Sequence, residues 1–155
     1  MIPMDLQKGL KERLEQEFAD KLFENPNGEL VPIQIFEQHL PQKQKEDISL
    51  YPYIIIQLNN GTQANETSAE GIKVVFLIGV FQEDSENQGY RNVVRVINRI
   101  SSNLKQNPTV KRQFQLNYPY DWALYDEDVA PYFFGGIETT WNVPTFSRTE
   151  AEEMI

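Results

Sequence analysis

The chain contains no cysteine and a single histidine, His39. Without thiolates it has no disulfide, iron–sulfur or zinc–thiolate site, and one imidazole cannot build a His-rich metal site unless chains assemble around it. Basic residues are also few, since 14 Lys and Arg stand against 23 Asp and Glu, for a formal net charge of −9. Such a chain lacks the basic field that draws proteins onto phosphate backbones, so sequence-independent DNA binding is not expected.

Long hydrophobic runs are missing as well. The longest one, residues 74–81, falls far short of the ~20 residues that a membrane span needs. The first residues mix acids and bases and do not resemble a basic-then-apolar leader, so we expect a soluble, intracellular protein. A length of 155 residues favours a single domain, residues 1–155. We expect order over residues 5–144 and a flexible acidic tail at residues 145–155.

The sequence contains no recognisable catalytic set. His39 has no nucleophile motif beside it, although serine or threonine catalysis needs a base within hydrogen-bond reach. The densest acidic group, Asp121 with residues 126–128, could serve a glycosidase or a magnesium site, but such a run between aromatic segments is typical of a solvated turn. Gly135-Gly136 lacks the Lys-Ser/Thr of a phosphate loop and suggests close backbone approach or a bulge. We therefore expect no catalytic, metal or cofactor-binding residues.

Apolar residues at helical spacing predict two amphipathic helices. The first covers residues 5–24, with Asp5 as its N-cap and an Asn-Pro-Asn-Gly stop at residues 25–28. The second covers residues 89–106 and ends at Asn107-Pro108. The predicted core faces are Leu6, Leu10, Leu14, Phe18 and Leu22 in the first helix, and Tyr90, Val93, Ile97, Ile100 and Leu104 in the second.

Alternating apolar residues predict the strands. A short strand at residues 31–35 belongs at a sheet edge because Pro32 cannot donate to a ladder. Residues 51–58 and 72–81 form a long hairpin around an exposed polar loop, residues 59–70. Strands at residues 110–124 and 133–143 complete an α+β fold, a mixed or antiparallel sheet of about four or five strands backed by two helices in the order α-β-β-β-α-β-β.

The second strand of that hairpin is apolar on both faces. In an antiparallel sheet with one face in solvent, apolar and polar residues alternate along each strand. This strand does not alternate, so we expect both of its faces to be packed against other parts of the protein or against a neighbour. The chain's own helices and loops could supply this packing, or a neighbouring subunit could help. One face carries Ile72, Val74, Phe76, Ile78 and Val80, and the other, our candidate contact face, carries Val75, Leu77 and Phe81.

Two polar features are further candidates for contact with other molecules. Arg91, Arg95 and Arg99 lie opposite the apolar face of the second helix and form a basic stripe on an acidic protein. This stripe is either an ordinary solvated face or a surface that meets acidic groups of a neighbour or partner. The hairpin loop is the second feature, with Asn59, Asn60, Gly61, Thr62, Gln63 and Asn65 as its candidate contact residues.

Three short motifs, in this order and spacing, give the chain a family resemblance. They are Tyr51-Pro52-Tyr53 before a run of isoleucines, Gly89-Tyr90-Arg91 at the start of the second helix, and the stretch from Gly135-Gly136 to Trp141 that precedes Pro144. Together with the order of elements over residues 5–144, they resemble the tail-terminator (tail-completion) proteins of long-tailed bacteriophages and their prophages. The chain departs from the pattern at Asn92, where an acid is expected after Gly-Tyr-Arg.

The resemblance implies a structural virion protein and not an enzyme. Its members are α+β subunits that assemble into hexameric rings at the head-proximal end of the tail. Such a ring caps the tail tube, stops its polymerisation and contacts the head-completion protein, and DNA passes through its lumen without specific binding. The excess of acid suits this role, because a wall that bound phosphates would retain the genome.

The residues are also compatible with three other functions. Another head–tail joining or neck protein would differ only in whether it contacts the tail tube. A small ligand-binding or peptide-binding domain would bury the hairpin with its own helices and stay monomeric, and an acidic-site hydrolase would bind divalent metal near Asp121.

Overall fold

The computed structural model describes residues 2–41, 50–83, 88–125 and 129–143. Within them lie two helices, α1 (Ile2–Phe18) and α2 (Tyr90–Gln106). The strands are β1 (Leu22–Glu24), β2 (Leu30–Pro32), β3 (Gln34–Glu37), β4 (Tyr53–Thr62), β5 (Glu70–Phe81), β6 (Thr109–Val110), β7 (Phe114–Tyr125) and β8 (Tyr132–Val143). The predicted α+β class is confirmed. The predicted acidic tail at residues 145–155 and the end of the last strand at Pro144 lie outside the described residues.

Six of the strands form one mixed sheet in the order β3-β4-β5-β8-β7-β6. Only β3 and β4 run parallel, and every other neighbouring pair is antiparallel. Both helices pack on the same face of this sheet, α1 against β3, β4 and β6, and α2 against β5, β7 and β8. The apolar faces of the helices and that one sheet face form a single core, so the opposite face carries no helix among the described residues.

The helix periodicity predicted the core residues well and the first helix's ends poorly. Leu6, Leu10, Leu14 and Phe18 are all buried, as expected. However, α1 ends at Phe18, and the predicted core residue Leu22 is 56% exposed on β1. The predicted N-cap was also wrong, because α1 begins at Ile2 and Asp5 lies inside its first turn.

The Asn-Pro-Asn-Gly segment explains why α1 is shorter than predicted. It forms the turn of a two-stranded ribbon, β1–β2, that stands apart from the main sheet. The buried side chain of Asn25 accepts hydrogen bonds from the backbone N–H groups of Asn27 (3.0 Å) and Glu29 (2.9 Å). Gly28, at φ +79°, supplies the left-handed residue that the turn needs. The predicted single strand at residues 31–35 is consequently two strands, and only β3 forms the edge of the main sheet.

The long hairpin is confirmed, but its loop is shorter than predicted. Asn60, Gly61 and Thr62 pair with Lys73, Ile72 and Gly71 across a register shift that follows Leu58. The connection is therefore residues 63–69 and not residues 59–70. Polar side chains in the predicted loop do not prevent pairing, because the ladder uses backbone groups alone.

Helix α2 agrees with the prediction in its extent and in most of its core face. Val93, Ile97, Ile100 and Leu104 are buried, and Asn107 is the C-cap. The assignment of Tyr90 to the core was wrong, because its side chain is 41% exposed at the first residue of the helix.

Strand β8 places Trp141 at the centre of the core. Its side chain is fully buried, and its Nε1–H donates to Thr139 Oγ1 (2.9 Å), which in turn donates to the Val74 carbonyl on β5 (2.8 Å). Thr139 is one of three buried polar side chains in the described residues, and this chain of bonds satisfies it. Trp141 is therefore a structural residue, as its face of the strand predicts.

Replacing Trp141 with alanine should lower the free energy of unfolding by about 3 kcal/mol, because the change removes a fully buried indole and leaves a cavity. Trp122→Ala is the matched control, since Trp122 is 56% exposed. The control should change the free energy of unfolding by about 0.5 kcal/mol or less. Urea unfolding followed by circular dichroism measures both, and an unchanged midpoint for Trp141→Ala would contradict the core assignment.

Candidate interaction surfaces

The described residues contain no group of three or more His, Asp or Glu side chains that could hold a metal ion. Asp121 is exposed on β7, opposite Glu138 of β8, and the acidic residues 126–128 lie outside the described part of the chain. His39 is exposed on the turn after β3. Within the described ranges, no helix is long and apolar enough to cross a membrane.

The basic stripe on α2 divides into two parts. Arg91 and Arg95 are exposed, and the Arg95 guanidinium donates to the side-chain oxygen of Asn92 on its own helix (3.0 Å). Arg99 instead forms an ion pair with Glu17 of α1, with Nη1 and Oε2 3.2 Å apart. The part of the stripe that presents unneutralised charge outward is therefore Arg91 and Arg95.

The Arg99–Glu17 pair belongs to a polar clamp between the two helices. Arg13 of α1 donates to the backbone carbonyls of Asn103 (2.8 Å) and Asn107 (2.7 Å), which end α2, and Asn103 also donates to Glu17 (3.0 Å). A guanidinium at these carbonyls stabilises the negative end of the helix dipole. Partial burial lowers the pKa of Arg13 from its ordinary value, although the group stays charged.

An open groove of about 930 Å³ runs between α2 and the β1–β2 ribbon. Arg95 lies on its helix side, and Leu22 and Leu30, which are 56% and 67% exposed, lie on its ribbon side. Most of its other lining side chains are polar or charged. The groove is therefore open and mostly polar, unlike the enclosed apolar pockets that hold small ligands.

Aromatic rings form a cluster at one end of the sheet face that carries no helix among the described residues. The Tyr51 ring lies 4.7 Å from Tyr132 and 5.1 Å from Tyr53, and Phe81 lies 5.6 Å from Tyr132, between ring centroids. Burial, and the neighbouring Tyr51, raise the pKa of the Tyr53 hydroxyl well above its ordinary value. This cluster explains why Tyr53 and Phe81 are buried although no described helix covers them.

Two glycines let tyrosine rings lie flat on that face. A Cβ at Gly79 would overlap the Tyr53 ring, and a Cβ at Gly136 would overlap the Tyr125 hydroxyl. The register of β8 with β5 runs unbroken through Gly135-Gly136, so these glycines serve close approach and not a bulge. Of the two alternatives predicted for the glycine pair, the structure selects the first.

The predicted contact residues lie on three separate surfaces. Val75 and Phe81 are buried on the aromatic face, each 8% exposed, and Leu77 beside them is partly exposed. The arginines lie on α2, on the opposite side of the sheet. The polar residues are all exposed at the tip of the β4–β5 hairpin, namely Asn59, Asn60, Gly61, Thr62, Gln63 and Asn65.

The outer edge of β7 is a fourth surface, and sequence reasoning missed it. Strand β6 pairs only with residues 114–115, so among the described residues no strand covers the edge of residues 117–125, which we call the β7 edge. Seven of these nine residues are exposed, including Tyr118 (62%), Trp122 (56%) and Tyr125 (43%). The aromatic spacing was visible in the sequence, but the strand order that leaves it uncovered was not.

A side chain covers the part of the β4 edge that lies beyond the end of β3. Just beyond the end of β3, the side-chain amide of Gln38 takes the place of a strand, since its Nε2 donates to the Leu58 carbonyl and its Oε1 accepts from the Leu58 N–H, both at 3.0 Å. Buried Gln7 of α1 holds that amide in place with a further bond of 2.9 Å. The β7 edge carries instead a register shift between Asn117 and Asp121, together with Pro119 and the charge of Asp121.

Sequence comparison finds no known protein family and no curated protein that matches this chain.

Changing Arg91 and Arg95 together to glutamate should leave the stability almost unchanged, within about 0.5 kcal/mol per site, because both side chains are exposed. Adding Arg99→Glu should lower the unfolding midpoint further, because it replaces an ion pair with two facing carboxylates at Glu17. Thermal unfolding of the double and triple variants measures the difference. Equal midpoints would show that the Arg99–Glu17 contact does not stabilise the fold.

Proposed function

We propose that this chain is the tail-terminator subunit of a long-tailed bacteriophage or prophage. It acts as a structural protein and not as an enzyme. Six copies form a ring that caps the finished tail tube, stops its polymerisation and joins the tail to the head-completion protein. The ring assembles in the bacterial host cytoplasm and lies in the virion at the head-proximal end of the tail.

The packing of the three resemblance motifs supports the proposal. Tyr51 of the first motif packs on Tyr132, at the start of β8. Gly89 of the second motif lies so close to the ring of Phe133, also on β8, that a Cβ would overlap it. The third motif continues β8 from Gly135. The first two motifs thus pack against the start of β8, the strand that carries the third motif.

The observation that carries the proposal is the β7 edge. A long strand edge with exposed aromatic side chains is a template for pairing with another chain, and natural proteins leave one open where a partner covers it. A subunit of a ring needs such a surface, whereas a monomeric ligand-binding domain does not. The open, polar groove along α2 adds no support to the ligand-binding alternative.

The other surfaces then have roles in the ring. Arg91 and Arg95 are exposed cations on a subunit of net charge −9, and they suit contact with acids of a neighbouring subunit or of a tail partner. The polar hairpin tip at residues 59–65 suits contact with the end of the tube. Six acidic subunits present a lumen that repels phosphate, so DNA passes without being held.

Tail morphology in producing cells tests this function. Cells whose phage lacks this protein should release overlong tubes or tails without heads, and the unaltered chain supplied from a plasmid should restore tails of normal length joined to heads. Electron microscopy of the lysates gives the result. A neck protein that does not contact the tube would instead leave tube length normal and only separate heads from tails, and this outcome would contradict the terminator assignment.

A further inference from the structure

Charge is distributed unevenly along this chain. Residues 87–120, which include α2, β6 and the first part of β7, contain six Lys and Arg and no Asp or Glu. The rest of the chain contains the other eight Lys and Arg and all 23 Asp and Glu, so its formal charge is −15. Each copy therefore carries a basic region and an acidic remainder, and two copies can attract each other although each has a net charge of −9.

The last cations of this basic region lie at the turn between β6 and β7. The turn is closed by a hydrogen bond of 3.0 Å that the Gln113 N–H donates to the Val110 carbonyl. Its two central residues are Lys111 and Arg112, and both are exposed. We call these two residues the basic tip. The hairpin thus places two adjacent positive charges in solvent.

The backbone of the basic tip is in the left-handed region at both residues, with φ of 51° at Lys111 and 59° at Arg112. Residues with a Cβ are disfavoured in this region, and a hairpin turn with positive φ at both central positions favours Asn and Gly. The β1–β2 turn uses a glycine for its positive φ, Gly28 at +79°. Turn geometry alone therefore does not account for Lys and Arg at these positions.

A third residue shows what such backbone strain serves elsewhere in this protein. Among the described residues, only Gln38 joins Lys111 and Arg112 as a non-glycine residue with positive φ. Gln38 has a φ of 72°, and its side chain completes the edge of β4. There the strained backbone positions a side chain whose contacts the fold uses. Strained residues are in general frequent where a side chain has a function.

The two side chains of the basic tip differ in their contacts within the subunit. The stem of Lys111 lies over Gly9 of α1, where a Cβ would be 3.1 Å from Lys111 Cε. The Arg112 side chain forms no hydrogen bond or ion pair within the described part of the chain. Lys111 therefore has a packing role, whereas no described contact inside the subunit explains Arg112.

We infer that the basic tip binds carboxylates on a second copy of this chain, with Arg112 as the residue that makes the contact. A guanidinium can bind a carboxylate through two parallel hydrogen bonds, which fixes the orientation of the contact as well as its charge. The basic tip and the carboxylates are different surfaces, so the contact can repeat from copy to copy, as a ring requires. The inference rests on the proposed ring and names one residue that joins its subunits.

Charge decides between the occupants that a basic tip could have. A nucleic acid would meet two cations but also the repulsion of a subunit with a net charge of −9. A second copy has an acidic remainder of formal charge −15, and its exposed carboxylates include Glu12, Glu15 and Asp121. In an assembly of identical copies, this acidic partner is present wherever the basic tip is. A second copy is therefore the occupant that charge favours.

Substitutions at Arg112 separate the contact from stability. Arg112→Gly removes the cation and suits the left-handed backbone, so it should keep or raise the unfolding midpoint. Arg112→Gln removes the cation and keeps the strain. Both should weaken self-association about tenfold, as loss of a charge-assisted hydrogen bond does, whereas Arg112→Lys keeps the charge and should weaken it less. Sedimentation of the full chain at one moderate salt concentration measures association, and thermal unfolding measures stability.

Gln16→Glu is the control for net charge, because it also changes the charge by −1 at an exposed residue. It should leave self-association unchanged. Equal weakening by Gln16→Glu and Arg112→Gln would show a general charge effect and overturn the inference. An unfolding midpoint lowered by both Arg112→Gly and Arg112→Gln would assign Arg112 a role inside the subunit and overturn it as well.

A gel shift with duplex DNA at the same salt concentration tests the other occupant. We expect no shift. A shift that the unaltered chain gives and Arg112→Gln loses would identify phosphate as the occupant and overturn the inference. If the unaltered chain forms a ring and Arg112→Gln assembles equally well, the inference fails while the proposed function stands. A chain that stays monomeric at every concentration contradicts both.

Discussion

The placement of both helices on one face of the sheet is the constraint on which the rest of the subunit depends. That face has a continuous core, with Trp141 at its centre. Among the described residues, no helix covers the other face. Tyrosine rings lying over Gly79 and Gly136 cover part of the far face, and the amide of Gln38 completes the edge of β4. Among the described residues no further strand covers the β7 edge, and the proposed assembly follows from that difference.

The clamp between the helices shows why a charge pattern alone does not identify a contact surface. Three arginines share one side of α2, but Arg99 is held by Glu17, and Arg13, outside the stripe, binds the end of α2. An arginine engaged in this way stabilises the packing of α1 on α2. The positive charge that α2 presents to solvent therefore comes from Arg91 and Arg95. These are the two residues of the stripe that the proposed function assigns to contact with a partner.

Periodicity predicted the elements whose burial follows from local pattern. The α1 and α2 faces and the alternation along β8 are examples, because each repeats at the spacing of its element. The end of α1 was not predictable in the same way, since the Asn25 side chain decides between a helix stop and a hairpin turn. The β7 edge was missed for a different reason. Its aromatic residues are visible in the sequence, but their exposure depends on the strand order, which arises from long-range pairing.

The proposed function requires that copies of this chain assemble into a ring of six. Light scattering coupled to gel filtration of the full chain, at high protein concentration and moderate salt, tests that claim most directly. A hexameric ring would give a discrete species of six times the 18.1 kDa mass of one chain. A single species of 18.1 kDa under those conditions would contradict it.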